Sequence, residues 1–167
     1  MNAKEVIEKL KLQPHQGEGG YFLETYRSNK KIMVDYDKND NERNYSTAIY
    51  YLLTPDNFSS LHRIKQDEIF HFYGGDPVEL VVFKNKDKAN IITIGNNFIE
   101  DEKPQVLVPS CCWQGLRLKE GYKHGWCLMG TTVSPGFDFR DFEIGDRDQL
   151  LSKFPNHKEI ILKYTRQ

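Results

Sequence analysis

The sequence has few cysteines and no long hydrophobic run, and these absences limit what the chain can be. An odd set of three cysteines, two of them adjacent (Cys111, Cys112 and Cys127), is not the pattern of a disulfide framework. No run approaches the roughly 18 apolar residues of a membrane span. The opening stretch "MNAKEVIEKLKLQ" is charged throughout, unlike the apolar core of a signal peptide. We therefore expect a cytoplasmic protein with reduced thiols and no membrane partner.

The sequence also lacks an excess of either charge. Its 23 basic and 24 acidic residues give a net charge of -1, without a long block of one sign. This balance indicates neither nucleic acid nor an anionic membrane as a partner. A length of 167 residues suits a single domain over residues 1–167, able to bury about 70% of its unfolded surface. Aromatic residues make up 13% of the chain, which favours a β-rich core or an aromatic-lined cavity.

Short β-type runs separated by turn signals dominate the chain. Strands and helices do not alternate as they do in parallel α/β sheets, so the pattern predicts a sandwich or a barrel. The polar stretch "DYDKNDNERN" (35–44) is predicted to be an exposed loop. The predicted strands lie at residues 21–27, 45–53, 58–64, 68–73, 78–83, 91–95, 105–109, 112–118 and 125–133.

Short helices are predicted at both ends of the chain. Asn2 followed by Glu5 is a capping-box pattern at the start of the first helix, which covers about the first dozen residues before Pro14. Near the other end, Asp146 with Gln149 resembles a second capping box. It begins a helix over residues 147–154 that the following proline stops.

The segment "SSLHRIKQDEIFHFYGG" (59–75) concentrates the residues that can carry chemistry. Strand alternation places His62 and Ile64 on one face of the first run. In the second run, Glu68 and Phe70 share a face, and His71 lies on the opposite one. If His62 and Glu68 face the same interior, they meet across a hairpin. We assign His71 a structural role on the outer face.

The same segment resembles the first motif of the cupin superfamily. His62, Glu68 and Gly75 stand at the places of that motif, whereas Ile64 stands where a second histidine is expected. Further along, "PSCCWQ" has the spacing of the second cupin motif, with Gln114 in the place of its histidine. The order of the two motifs also agrees with that of a cupin.

A closer resemblance extends almost end to end, to an uncharacterised cupin branch known as the "cupin 5" group. It implies an all-β double-stranded β-helix, a jelly-roll sandwich like that of dTDP-sugar epimerases, with short terminal helices. It also implies a homodimer, but little about the substrate. The segments that carry it are "EGGYFLETYRS", "STAIYYLL", "HRIKQDEIFHFYGGDP", "VPSCCWQ" and "SPGFDFRDFE".

Three functions are compatible with these residues. The first is an isomerase or epimerase that acts on a sugar-like small molecule, with His62 and Glu68 as acid–base groups. Its opposing proton donor would be Tyr50, Tyr51 or Tyr73. The second is a metal-dependent cupin, such as an oxygenase or isomerase. The third is a non-catalytic cupin that binds a small molecule in an aromatic cavity.

The metal hypothesis depends on three side chains. The resemblance implies that His62, Glu68 and Gln114 are ligands of a divalent ion, with water molecules completing its coordination shell. A typical cupin binds its metal through three histidines and a glutamate. The Gln114 carbonyl is a weaker ligand than imidazole for borderline metals, and Ile64 offers none. The alternative is that these polar groups line a pocket and bond to each other.

Other residues are candidates for binding a ligand. Glu18 stands beside two glycines and can close over a cavity mouth, while Tyr51, Phe70 and Gln114 are assigned to the cavity lining. Arg27 can anchor a carboxylate or phosphate, although a solvated or salt-bridged strand arginine is an equal alternative. The segment "PGFDFRDF" either lines the pocket entrance or packs as an aromatic strap on the sandwich, and the strap is favoured.

Overall fold

The computed structural model describes residues 1–38, 41–84 and 88–166, and short antiparallel strands make up most of them. The strands are β1 (Gln13–Pro14), β2 (Tyr21–Arg27), β3 (Lys31–Met33), β4 (Glu42–Asn44), β5 (Thr47–Leu53), β6 (Ser59–Arg63), β7 (Asp67–Gly75), β8 (Val78–Phe83), β9 (Ala89–Ile94), β10 (Gln105–Val108), β11 (Trp113–Leu118), β12 (Cys127–Ser134) and β13 (Glu143–Ile144). Each of the nine predicted runs overlaps one of these strands. Turn signals therefore located the strands, with ends that differ by a few residues.

The strands form two main sheets and a small ribbon. One sheet has the order β1-β2-β5-β12-β7-β10, the other β13-β6-β11-β8-β9, and β3 pairs with β4. From β5 to β8 the chain changes sheet at every connection, as in a jelly roll. The predicted all-β jelly-roll class is therefore confirmed. Within the described residues the sheets share no strand, so the architecture is a sandwich and not a closed barrel.

Residues of β8 show how the core is divided. Leu80 and Val82 point into the main cluster between the two sheets, whereas Val81 and Phe83 belong to a second cluster that includes Leu150 of the C-terminal region. Successive side chains of a strand point to opposite faces, so a strand covered on both sides is apolar at nearly every position. The run "VELVVF" has this composition because the C-terminal helices cover the outer face of its sheet.

The terminal helices begin as their caps predicted. In α1 (Ala3–Leu10), Asn2 accepts a hydrogen bond from the backbone N–H of Glu5, and the Glu5 carboxylate accepts one from the backbone of Asn2. Helix α2 (Arg147–Lys153) begins at Asp146, which accepts from the Gln149 N–H. A third helix, α3 (Lys158–Lys163), was not predicted. Across the part of the chain that is described, no helix is long and apolar enough to cross a membrane.

The exposed loop predicted at residues 35–44 is wrong in its second half. Residues 39 and 40 lie outside the described part, but Glu42–Asn44 forms β4, and Arg43 is only 2% exposed. The buried guanidinium is paired with the carboxylates of Asp37 and Asp141. A polar composition therefore concealed a buried ion pair whose main partner lies far away in the sequence.

Candidate functional site

A cavity of about 80 Å³ lies at one end of the sandwich. Strands of the first sheet form one wall, β6 of the second sheet contributes to the other, and a phenylalanine-rich segment after β12 borders it. The lining residues are His15, Glu18, Phe22, Glu24, Arg27, Thr47, Ala48, Ile49, His62, Ile64, Glu68, Thr131, Val133, Phe137, Phe139 and Phe142. Its lining of apolar and aromatic side chains with a few convergent polar groups is typical of a small-molecule site, although the space is smaller than in most of them.

His62 is held in one orientation on β6. It is 3% exposed, and its Nδ1 lies 2.8 Å from the backbone carbonyl oxygen of Ser60. A carbonyl can only accept, so Nδ1 carries the proton and the neutral ring has its lone pair on Nε2. The imidazole also stacks on Phe142, with ring centres 5.3 Å apart. Nε2 has no hydrogen-bond partner among the described residues, which makes it the nitrogen available to a ligand.

Glu68 is the second acid–base group in the cavity wall. Its side chain accepts a hydrogen bond from Nε2 of Gln114 at 2.6 Å. Burial raises the pKa of Glu68, a positive charge on His62 opposes this when the imidazole is protonated, and the negative charge of Glu18 raises it further. The net result is a carboxyl group that keeps its proton to a higher pH than an exposed glutamate.

His62 and Glu68 line the same cavity, but they do not meet across a hairpin. β6 belongs to one sheet and β7 to the other, so the two residues face each other across the interior of the sandwich. The turn between them carries the chain from sheet to sheet. His71 lies on the other side of β7, where Nε2 is 3.1 Å from Oγ1 of Thr132 and Nδ1 is 3.3 Å from Nε2 of Gln105.

Gln114 lies behind the cavity wall. It is 1% exposed, pairs in register with His62, and is not among the lining residues. Its amide nitrogen donates to Glu68, whereas its amide oxygen is buried without a partner among the described residues. The structure therefore gives Gln114 a position from which it supports the carboxylate.

The structure does not place the predicted aromatic ligand-binding residues in the cavity. Tyr51 and Phe70 are each 2% exposed and belong to the main core cluster, and the Tyr51 hydroxyl donates to the carbonyl of Gly19 at 2.7 Å. The other candidate proton donors, Tyr50 and Tyr73, pack edge to face against each other, and neither lines the cavity. Facing the interior does not imply facing the cavity, because most of the interior is filled.

Glu18 and a histidine missed by the sequence analysis form a second polar pair. Glu18 lines the cavity and accepts a hydrogen bond from the Ser59 hydroxyl at 2.6 Å. The side chain of His15 is 8% exposed, and its Nε2 lies 3.8 Å from the Glu18 carboxylate. Its Nδ1 is buried without a hydrogen-bond partner among the described residues. The sequence "HQGE" before a double glycine could have indicated this pair, because the turn at the glycines directs both side chains inward.

Arg27 lines the cavity, but the protein itself occupies its guanidinium. Nε and Nη2 donate to the two carboxylate oxygens of Glu24 at 2.9 and 2.6 Å. Nη1 donates to the side chain of Asn44 at 2.9 Å and to the carbonyl of Phe137 at 3.1 Å. Of the two alternatives for Arg27, the salt-bridged arginine is the one observed.

The segment "PGFDFRDF" contributes the aromatic side of the cavity. Phe137, Phe139 and Phe142 all line it, so the segment does more than cover the sandwich. Asp141, in the same segment, accepts from Nε and Nη2 of Arg43 at 2.7 and 2.8 Å. Burial alone would raise the pKa of Asp141. The hydrogen bonds that its carboxylate accepts, chiefly those from Arg43, outweigh burial, so the pKa is lowered.

The residues around His62 do not fit a resident metal of the cupin kind. Across the described residues, no group of three or more histidine, cysteine, aspartate or glutamate side chains is arranged to hold a metal ion. His62 and Glu68 offer two donors, and Ile64 presents only hydrocarbon to the cavity. The amide group of Gln114 directs its nitrogen to Glu68.

Comparison with known proteins gives a consistent family match. A family model described as "Cupin superfamily (DUF985)" matches residues 4–145. An uncharacterized protein from Saccharomyces cerevisiae is 31% identical over 147 residues, covering 83% of this chain and 72% of its own. Two solved structures are also similar along nearly the whole chain. A hypothetical protein from Leishmania major has a TM-score of 0.91 at 32% identity, covering 100% of both chains. A protein from Shewanella oneidensis has a TM-score of 0.86 at 32% identity, and the match covers 99% of this chain and 98% of that protein.

More distant structures share the fold alone. Oxalate decarboxylase from Bacillus subtilis has a TM-score of 0.54 at 15% identity, covering 93% of this chain and 37% of its own. A dTDP sugar isomerase from Desulfovibrio desulfuricans has a TM-score of 0.53 at 12% identity, and the match covers 86% of this chain and 83% of that protein. One strand arrangement therefore occurs in proteins named for unrelated activities, and function has to be argued from the site.

Proposed function

This chain belongs to the cupin superfamily (DUF985), and from the side chains of its cavity we propose that it is an isomerase or epimerase that binds a small, sugar-like carbonyl compound there. The observation that carries the proposal is the placement of His62 and Glu68, which line one small cavity from opposite sheets. Isomerisation next to a carbonyl needs a base for the carbon-bound proton and an acid for the carbonyl oxygen. These two side chains supply both.

His62 is the base in this proposal. Its Nδ1 proton is committed to the carbonyl of Ser60, so Nε2 accepts the proton when the C–H bond next to the carbonyl breaks. The electron pair of that bond forms a carbon–carbon double bond, and the carbonyl π electrons move to the oxygen. The stacked ring of Phe142 holds the imidazole plane while its charge changes. The base is therefore positioned before the ligand binds.

Glu68 is the acid. Burial favours its protonated form, and this form donates to the carbonyl oxygen as the enediol develops. Protonated His62 then returns the proton to the former carbonyl carbon, while the Glu68 carboxylate takes a proton from the enediol hydroxyl on the carbon that was deprotonated, which makes a carbonyl group there and completes the isomerisation. Epimerisation of the deprotonated carbon instead needs a proton from water on the opposite face, while Glu68 takes back the proton that it gave to the oxygen. No tyrosine lines the cavity within the described residues, which is why the acid role is assigned to the carboxyl group.

The volume and lining limit the ligand. The enclosed cavity of about 80 Å³ is well below the roughly 300–1,000 Å³ of typical ligand pockets, so it holds only the reacting part of a small molecule. The rings of Phe22, Phe137, Phe139 and Phe142 offer apolar faces, and the imidazoles and carboxyl groups offer hydrogen bonds. Sugars and related hydroxyketones combine one apolar ring face with several hydroxyl groups.

Deuterium exchange tests this function without knowledge of the natural substrate. The protein is incubated in D₂O with a panel of aldoses, ketoses and hydroxyketones, and proton NMR follows loss of the signal from the carbon next to the carbonyl. The wild type should exchange at least one compound, and His62→Gln should lose the exchange while its near-UV circular dichroism stays native. His71→Gln is the matched control, because His71 lies on the other side of β7.

The possible results separate the three functions considered. Binding without exchange by the wild type would make the protein a non-catalytic binding cupin. Exchange that survives His62→Gln would remove His62 from the base role. Exchange that depends on added Mn, Fe, Ni or Zn would replace the proposal with a metal-dependent one.

The homodimer expected from the resemblance, and the cytoplasmic location, stay predictions. The chain has a mass of 19.6 kDa, so size-exclusion chromatography with light scattering distinguishes one copy from two directly. A mass near that of one chain at micromolar concentration would contradict the dimer.

A further inference from the structure

The charged side chains around the cavity are mainly acidic. Glu18, Glu24 and Glu68 line it, and Arg27 is the single lysine or arginine among the described lining residues. When all three carboxyl groups are ionised, even protonating both lining imidazoles would only balance the charge. A phosphate or carboxylate on a ligand would therefore meet no surplus positive charge, and its desolvation would be poorly compensated.

No edge of the Arg27 guanidinium keeps two N–H groups free for an anion. A phosphate binds best to two parallel N–H groups on one edge of a guanidinium. In Arg27 the Nε–Nη2 edge is taken by both oxygens of Glu24, and Nη1 is taken by Asn44 and the backbone of Phe137. Arg27, the lining side chain best suited to bind a phosphate, is therefore hydrogen-bonded within the protein.

A ligand without charge finds suitable partners in the same cavity. The side chain of His15 is more than nine-tenths buried, and its Nδ1 has no partner in the described part of the chain. Nε2 of His62 is also free of a protein partner there. Hydroxyl groups both donate and accept, so they can satisfy these nitrogens and the carboxyl groups together. The phenylalanine rings cover the apolar face of the ligand.

We propose that the cavity selects small sugar-like molecules that carry no phosphate, diphosphate or carboxylate group, and that Glu24 enforces this selection by occupying Arg27. The inference rests on the proposed function for the carbonyl chemistry, but the charge selection stands on the lining alone. It separates this protein from enzymes that act on nucleotide-linked sugars, because the diphosphate of such a compound has no cationic partner in this lining.

Inorganic phosphate is the probe for the first experiment, measured by isothermal titration calorimetry. The wild type should show no saturable binding up to the highest phosphate concentration used. Glu24→Gln should bind phosphate with a dissociation constant at least about tenfold below that concentration, because it frees the Nε–Nη2 edge. Glu143→Gln is the matched control. It frees Arg63, which lies outside the cavity lining and pairs with Glu143 at 2.6 Å, and it should behave like the wild type.

Each result of this experiment decides the question. Loss of the gained affinity in Glu24→Gln/Arg27→Gln would locate the bound phosphate at Arg27 and support the proposal. Saturable phosphate binding by the wild type that Arg27→Gln removes would overturn it. A Glu24→Gln variant that gains nothing beyond the Glu143→Gln control would also overturn it, because Glu24 would then not be what keeps anions out.

Matched sugars separate this inference from the proposed function. The deuterium-exchange assay is run with monosaccharides and their phosphate esters at equal concentration. Exchange restricted to the unphosphorylated members supports both proposals. Exchange restricted to the esters overturns the charge selection and leaves the isomerase proposal standing. Binding of the neutral sugars without exchange overturns the isomerase proposal and leaves the charge selection standing.

Discussion

The amide nitrogen of Gln114 on one sheet donates to a carboxylate oxygen of Glu68 on the facing sheet, across 2.6 Å. This bond connects the two sheets directly behind the cavity. It stabilises the charged form of a carboxylate whose burial favours the neutral form. Gln114 therefore tunes an acid–base group without lining the cavity itself.

Replacing Gln114 by leucine should raise the pKa of Glu68 further. Leucine keeps most of the side-chain volume but removes the N–H that the charged carboxylate accepts, while burial remains. Carbon-detected NMR of the glutamate carboxyl groups measures the change directly. Gln105→Leu is the control, since Gln105 contacts His71 on the other side of β7. An unchanged or lower pKa in Gln114→Leu would show that the hydrogen bond has no electrostatic effect.

The stability of the protein should depend on pH through Glu68. Its pKa in the folded state lies above the ordinary value of 4.5. Between pH 4.5 and the folded-state pKa, the folded protein therefore binds more protons at this group than the unfolded protein does. The contribution of Glu68 to stability is therefore greatest below pH 4.5 and is lost as the pH rises through the folded pKa.

Glu68→Gln removes this loss. Its free energy of unfolding, relative to the wild type, should rise as the pH is raised from 4.5 and then level off. Urea unfolding followed by fluorescence at several pH values measures the difference, with exposed Glu120→Gln as the control for removing a carboxyl group. A relative stability of Glu68→Gln that falls with pH would contradict the raised pKa.

Asp141→Asn should destabilise the domain strongly. The Arg43–Asp141 pair is buried, with both side chains 1% exposed, so loss of the carboxylate charge weakens the compensation of a guanidinium that cannot reach water. We expect a cost of about 3 kcal/mol, measured by urea unfolding. Glu143→Gln removes a carboxylate from the half-exposed pair with Arg63 and should cost less than about 1 kcal/mol. Equal costs for the two variants would show that burial does not strengthen the Arg43 pair.

Ile64→His should create a metal site that the present residues do not provide. Ile64 lines the cavity beside His62 and Glu68, so an imidazole there would add a third donor. We expect Ni²⁺ or Zn²⁺ to raise the melting temperature of this variant and not that of the wild type. A ligand present at 100 times its dissociation constant stabilises by about 2.7 kcal/mol. Ile64→Gln controls for a polar substitution, and a shift in the wild type equal to that of Ile64→His would contradict the expectation.

Local patterns predicted most of the fold. Strands came from alternation between turn signals, and both predicted helix starts came from side-chain caps. Strand β4 was missed because the burial of Arg43 depends on Asp141, 98 residues further along. Composition indicates a loop wherever polar residues cluster. It cannot show that distant carboxylates allow one of them to be buried.

The candidate site was predictable in part. Alternation paired His62 with Glu68, but a two-residue period does not say which sheet a strand joins, so the predicted hairpin was wrong. Phe70 was assigned to the cavity because it shares a face with Glu68, although packing fills that part of the interior. His15 was missed because the spacing "HQGE" places it beside Glu18 only if the following turn directs both side chains inward, and the sequence does not show that direction.

The change of sheet between β6 and β7 has a consequence for folding. His62 and Glu68 are six positions apart, yet they come together only when the two halves of the sandwich close. A short peptide containing both would not contain the site, and a partly folded chain with one ordered sheet would not bind ligand. Under the proposed function, binding in the cavity is therefore linked to the cooperative unfolding of the whole sandwich, so amide hydrogen exchange should slow in both sheets when the cavity is filled.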